Sequence, residues 1–198
     1  MSTPHRHFAL YKPFGILSQL ASNDERQNRK KRFLTELAKF PEHTMPIGRL
    51  DEKSEGLLLL TTDGKLSDMV NRSGIEKEYY AQLDGQITSE AIKKLQAGVE
   101  IGIFGKKYVT KTCSAKVVAD VPEFANANTR IRLNAHRENS WVRIVLTEGK
   151  FRQIRKMTAA VGYPTLRLVR TRIGAVKLGN MHVGDLREID SEGIGLNV

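Results

Sequence analysis

Cysteine is all but missing. Cys113 stands alone in 198 residues, so no intrachain disulfide can form and a thiolate metal cluster is excluded. Long hydrophobic runs are missing too. No stretch approaches the length of a membrane span, and the N-terminal Met1-Ser2-Thr3-Pro4-His5-Arg6-His7 lacks the apolar core of a secretion signal. A cytoplasmic protein with no membrane partner is expected. His136 has no second His or Cys at ligand spacing, so neither a metal nor a cofactor is expected. Acidic residues are outnumbered: 22 Asp and Glu face 32 Lys and Arg, for a net charge of +10 and a pI near 9.8. Such an excess suits a polyanionic partner, because each phosphate neutralised releases condensed counterions.

What is present centres on Met45 to Gly64, where Gly48-Arg49-Leu50-Asp51 precedes the wholly apolar run Leu57 to Leu60. That run lacks the alternation that would leave one face wet, and it reads as a buried strand. Asp63-Gly64 marks a turn, with Thr62 or Asp63 able to cap a short helix through Leu66, Met69 and Val70. Asp51 then lies on a loop entering a rigid strand, between Gly48 and Gly56, where a reactive carboxylate would be held. An isolated Arg-x-Asp is commonly a turn, so the rest of the chain must supply the case.

Residues 1–7 read as a frayed terminus, and Phe8 to Tyr11 as a strand that ends at Lys12-Pro13-Phe14-Gly15. Ala21 to Arg32 is a basic loop, leading to a helix predicted from the spacing of Phe33, Leu34, Leu37 and Phe40. Lys77 to Asp84 is a strand, and Thr88 caps a helix that ends at Gly98. Val99 to Val121 and Thr129 to Leu133 read as antiparallel strands, with a loop at Phe104-Gly105. Ser140 to Leu146 alternates as a sheet strand does. A helix over 151–161 follows, with Ile154, Met157 and Val161 on one side and Arg152, Arg155 and Lys156 on the other. Leu166 to Arg170 and Leu186 to Ile189 are further strands.

No repeat or low-complexity linker divides the chain. The elements predict an α+β fold: two lobes on one continuous mixed, mainly antiparallel sheet with flanking helices. The catalytic domain is expected over 8–190, with a cleft between its lobes and a tail over 191–198.

Four segments together resemble the pseudouridine synthases, in the branch that modifies ribosomal RNA. They are Tyr11-Lys12-Pro13-Phe14-Gly15, Gly48 to Gly64, Lys77-Glu78-Tyr79, and Glu148 to Met157 leading to Leu168-Val169-Arg170. The resemblance runs from about residue 8 to 175. It departs from the family at Lys150-Phe151, where Arg-Asn is usual. Members of this branch often carry an N-terminal RNA-binding domain of the S4 type, for which the chain leaves no room.

The resemblance implies that Asp51 is the catalytic carboxylate and that Arg49 fills the gap left by a flipped uridine. Tyr79 would stack on the target base, Arg155 would pair with Asp51, and Leu168 would pack against the site. Lys12, Lys77 and Arg152 complete the expected substrate contacts, and Tyr80, on the other side of its strand, is a control. The implied reaction is isomerisation of a uridine in large-subunit (23S) ribosomal RNA. It needs no cofactor and no obligate protein partner, and a monomer is expected. Two alternatives stay open: a non-catalytic RNA-binding assembly factor, and the same chemistry on transfer RNA or small-subunit ribosomal RNA.

Overall fold

A computed structural model describes residues 4–121, 123–126 and 138–194. The strand expected over 129–133 and His136 lie outside these. The chain forms two compact units: Met1–Ile75 with Arg170–Val198, and Glu76–Val169.

In the first unit, β1 (His7–Lys12), α1 (Glu25–Lys30), β2 (Met45–Ile47), β3 (Glu55–Thr61) and α2 (Gly64–Arg72) come in that order. The second unit holds β4 (Lys77–Asp84), α3 (Ser89–Ala97), β5 (Glu100–Ile103), β6 (Lys106–Val109), β7 (Ser114–Val118), β8 (Asn139–Leu146) and α4 (Gln153–Ala160). Strand β9 (Thr165–Ile173) crosses the boundary between the two, and β10 (Val176–Lys177) and β11 (Leu186–Ile189) return to the first unit.

The strand order is β11-β1-β3-β9 in the first unit, with β2 beside β3 and β10 beside β9. Every residue of β1 and β3 is buried, which is why neither alternates in polarity. The pairing sets Leu10 opposite Leu58 and Phe8 opposite Leu60. These four join Ile16 and Leu34 in one apolar cluster, which Leu37 and Phe40 partly cover.

That cluster explains why the helix predicted from Phe33 to Phe40 does not form. Only a 3-10 turn over Leu34–Glu36 is present, and it drops Leu34 into the core. Glu36 accepts from the Phe33 amide and pairs with Arg32 at 2.8 Å, and Pro41 then forbids continuation. The helix lies upstream instead, in the stretch read as a loop. Asp24 caps it by accepting from the Arg26 and Gln27 amides, and α1 buries no side chain. With no apolar stripe there is no periodicity to read.

The described residues next to both ends are held in place. His7 is a buried strand residue, and the Arg6 guanidinium grips Glu188 at 2.7 and 2.8 Å. Past β11, a 3-10 turn over Glu192–Ile194 buries Ile194.

In the second unit the order is β9-β4-β8-β7, and β5 and β6 form a separate hairpin. Tyr79 pairs with Ile144 across β4 and β8. Thr88 caps α3 as expected, and Gly98 ends it at φ +97, where an added Cβ would stand 2.3 Å from the Thr110 carbonyl oxygen. Helix α4 begins at Gln153, later than expected, because Arg152 is left-handed at φ +53. Among the described residues no helix is long and apolar enough to cross a membrane.

Candidate active-site loop

Asp51 is half-buried on the loop between β2 and β3. The loop is tethered at four successive residues. The Arg49 carbonyl accepts from Arg170 Nη1 at 3.5 Å. Leu50 is held twice by Ser18, whose Oγ donates to its carbonyl at 2.7 Å and accepts from its amide at 3.0 Å. The Asp51 carbonyl closes a turn with the Ser54 amide at 3.0 Å, and the Glu52 carbonyl accepts from the Gly15 amide at 2.8 Å. Glu52 is further clipped by Lys31 at 2.8 Å. A carboxylate on such a loop is pre-positioned, as chemistry at a fixed atom requires.

Gly56 makes the entry to β3 possible. At φ +102, its missing Cβ leaves room for Arg170, whose carbonyl oxygen would otherwise lie 2.2 Å away. Arg170 is itself buried, and its Nε donates to the Leu57 carbonyl at 2.7 Å. Arg49, by contrast, is exposed. It lines a cavity of about 470 Å³ together with Ser18, Met45, Gly48 and Asn71.

Lys12, expected at a strand end as a substrate contact, is fully buried. Its Nζ donates to the Pro13 and Ile16 carbonyls, both at 2.8 Å. Burial pushes the ammonium down to about 7; Glu55 opposes this, Arg170 adds to it, and Asp51 and Glu52 oppose it more weakly. The physical reason for the difference is plain: both carbonyls hold the Nζ inside, so the group braces the loop rather than reaching outward.

The other expected residues belong to the second unit. Tyr79 is buried, Tyr80 packs edge-on against Phe124 at 5.4 Å, and Lys77 is half-buried at the start of β4. On α4, Arg155 donates to the Thr165 carbonyl at 3.1 Å, and Leu168 is buried on β9. Arg152 is half-buried just before α4. Among the described residues no group of three His, Cys, Asp or Glu could hold a metal.

Reading the sequence missed Ser18 and Glu55 and gave Arg170 no role beyond ending a strand. Ser18 gives no signal, since its partner lies 32 positions away. Arg170 could have been found, because an Arg following Leu168 and Val169 in a strand is set for burial and then demands a partner.

The chain has clear counterparts among known proteins. A family model described as RNA pseudouridylate synthase matches residues 6–160, and the chain belongs to that family. The Xanthomonas campestris protein named ribosomal large subunit pseudouridine synthase E is 35% identical over 93% of this chain and 96% of its own length. The Vibrio parahaemolyticus protein of the same name is 36% identical over 90% of this chain and 71% of its own. A solved structure titled as a pseudouridylate synthase superposes with a TM-score of 0.75 at 25% identity, over 96% of this chain and 73% of that one.

Proposed function

We propose that this enzyme isomerises a uridine of large-subunit ribosomal RNA to pseudouridine, with Asp51 as the catalytic carboxylate. In that reaction the bond from N1 to C1′ breaks, the base turns over, and C5 joins C1′. N1 gains a proton and C5 loses one, so the conversion is redox-neutral and no cofactor is called for. A carboxylate serves either as nucleophile on C1′ or as base toward the sugar. The observation that supports this reading best is the tethering of residues 49–52, which fixes one acid while leaving its neighbour Arg49 exposed.

A stacked uridine must be everted before any side chain reaches it, at a cost of a few kcal/mol. Arg49 is the proposed wedge and Tyr79 the stacking platform, each offsetting part of that cost. Arg155 is the proposed cation for Asp51, and Leu168 packs beneath the base. Lys77 and Arg152 contact the RNA backbone, whereas Lys12 braces the acid loop from within. The relatives named for the large ribosomal subunit support that choice of RNA. The reading includes a cytoplasmic monomer that needs no protein partner.

The test is to incubate the protein with unmodified transcripts of large-subunit RNA, small-subunit RNA and transfer RNA, and to map pseudouridine. Wild type should modify the large-subunit transcript alone. Asp51→Asn should bind that transcript and form no product. Product from Asp51→Asn at the wild-type rate would remove Asp51 from the chemistry.

A further inference from the structure

The hairpin of β5 and β6 turns through Phe104-Gly105, with both residues left-handed at φ 47 and φ 78. Two positive φ values define the turn that Asn-Gly favours, and a bulky aromatic is a poor choice for the first of them. Phe104 is nonetheless there, 83% exposed, with its ring kept out of any core. It stacks on Phe151, itself 52% exposed, with centroids 5.4 Å apart and planes 21° from parallel. The chain thus exposes two phenyl rings and places one of them on a strained backbone.

The surroundings are built to keep this pair in place. Glu148 accepts from Tyr108 Oη at 2.5 Å, from the Lys111 amide at 2.9 Å and from Gln153 Nε2 at 2.6 Å, locking the hairpin to the segment before α4. Burial would lift the Glu148 carboxyl, but those three donors, Tyr108 foremost, together with Lys150, hold it below the usual range and keep it ionised. Lys156 Nζ lies 5.0 Å from the Phe151 centroid and donates to the Gly102 carbonyl at 2.7 Å. Lys150 Nζ lies 5.1 Å from the Tyr108 centroid, and Lys106 is exposed at the hairpin tip. An aromatic face bordered by lysines matches a nucleobase and its phosphate.

We infer that the Phe104–Phe151 pair is a stacking platform for an unpaired nucleotide of the substrate RNA other than the target uridine. The inference rests on the proposed RNA substrate, and takes from it only that the polyanion is RNA.

The experiment measures fluorescence anisotropy of the full chain with a short oligouridylate, with a blunt RNA duplex, and with the large-subunit transcript. Phe104→Asn and Phe151→Ala should each weaken binding to oligouridylate about tenfold. Duplex binding and the salt slope should stay unchanged, because stacking neutralises no phosphate. Val117→Thr, an exposed apolar residue on β7, is the control and should match wild type. Phe104→Asn should also melt no lower than wild type, since Asn suits the turn, which separates lost contact from lost folding. Oligouridylate binding within about twofold of wild type for Phe104→Asn would overturn the platform even if wild type modifies the transcript normally. Unchanged RNA affinity with lost capture of a ribosomal protein would overturn it as well. A wild type that binds the RNAs but makes no pseudouridine in any transcript would sink the proposed function while leaving the platform measurable.

Discussion

Ser18→Ala is the sharpest probe of how this fold fixes its acid. The hydroxyl is buried and serves both backbone groups of Leu50, at 2.7 and 3.0 Å, one residue before Asp51. Alanine leaves a buried N–H and a buried C=O without that partner, each worth about 1 to 2 kcal/mol, so the expected loss is about 3 kcal/mol. For a chain of this length 1 kcal/mol moves Tm by about 3 °C, which makes the drop about 9 °C. The protein should still fold, because the tethers at Arg49, Asp51 and Glu52 survive. Displacing a reacting group by about 1 Å costs on the order of a hundredfold in rate. Single-turnover conversion of saturating RNA should therefore slow by about ten- to a hundredfold, with affinity for the RNA changed far less. A purely structural role would lower Tm and leave the rate of the folded fraction alone. A Tm within about 2 °C of wild type together with a full rate would show that the Leu50 tether positions nothing.

Lys12→Met tests the buried amine. Folded Lys12 sits near 7 against an ordinary 10.5, so between those values the folded protein has shed a proton that the unfolded chain keeps. Its contribution to stability is flat below pH 7 and rises above it, by about 1.4 kcal/mol per pH unit. Urea unfolding at pH 7 and pH 8.5 should show wild type gaining about 2 kcal/mol relative to Lys12→Met as the pH rises; a difference that does not change with pH would contradict the burial argument. Gly56→Ala should fail to fold or lose more than about 3 kcal/mol, because its Cβ would meet Arg170 backbone at 2.2 Å on a φ of +102; a soluble variant with wild-type melting would refute that. Arg152→Ala should weaken binding to the ribosomal transcript and reduce the log–log salt slope by about one; an unchanged slope would remove Arg152 from the phosphate contacts.

Much of the fold could be read from the sequence wherever one physical rule acted alone. The leucines of β3 cannot face water, and the chain buries them. Asp63 and Thr88 stand where a cap must stand, and each accepts helix amides. The reading failed where two rules competed. Phe33 to Phe40 has helical spacing, but the same residues were needed to cover Leu58 and Leu60, and tertiary packing won. Helix α1 has strong capping and no apolar stripe, so a search for periodicity passes over it. At the site, residue types were legible and their placement was not. Lys12 was visible as a lysine before a proline, but nothing local says that its ammonium is folded back onto Pro13 and Ile16.

The buried cations of the first unit point to why the acid loop is built as it is. Replacing a buried charge with an apolar side chain of similar size is commonly neutral or stabilising, so stability alone does not explain Lys12 and Arg170. Both spend donors on backbone carbonyls around the loop: Lys12 on Pro13 and Ile16, Arg170 on Leu57 and Arg49. Hydrogen bonds to carbonyls fix backbone geometry whatever the protonation of nearby carboxylates. A backbone held in this way keeps its geometry whatever charge the proposed catalytic carboxylate carries, which is what a group that changes charge during turnover requires.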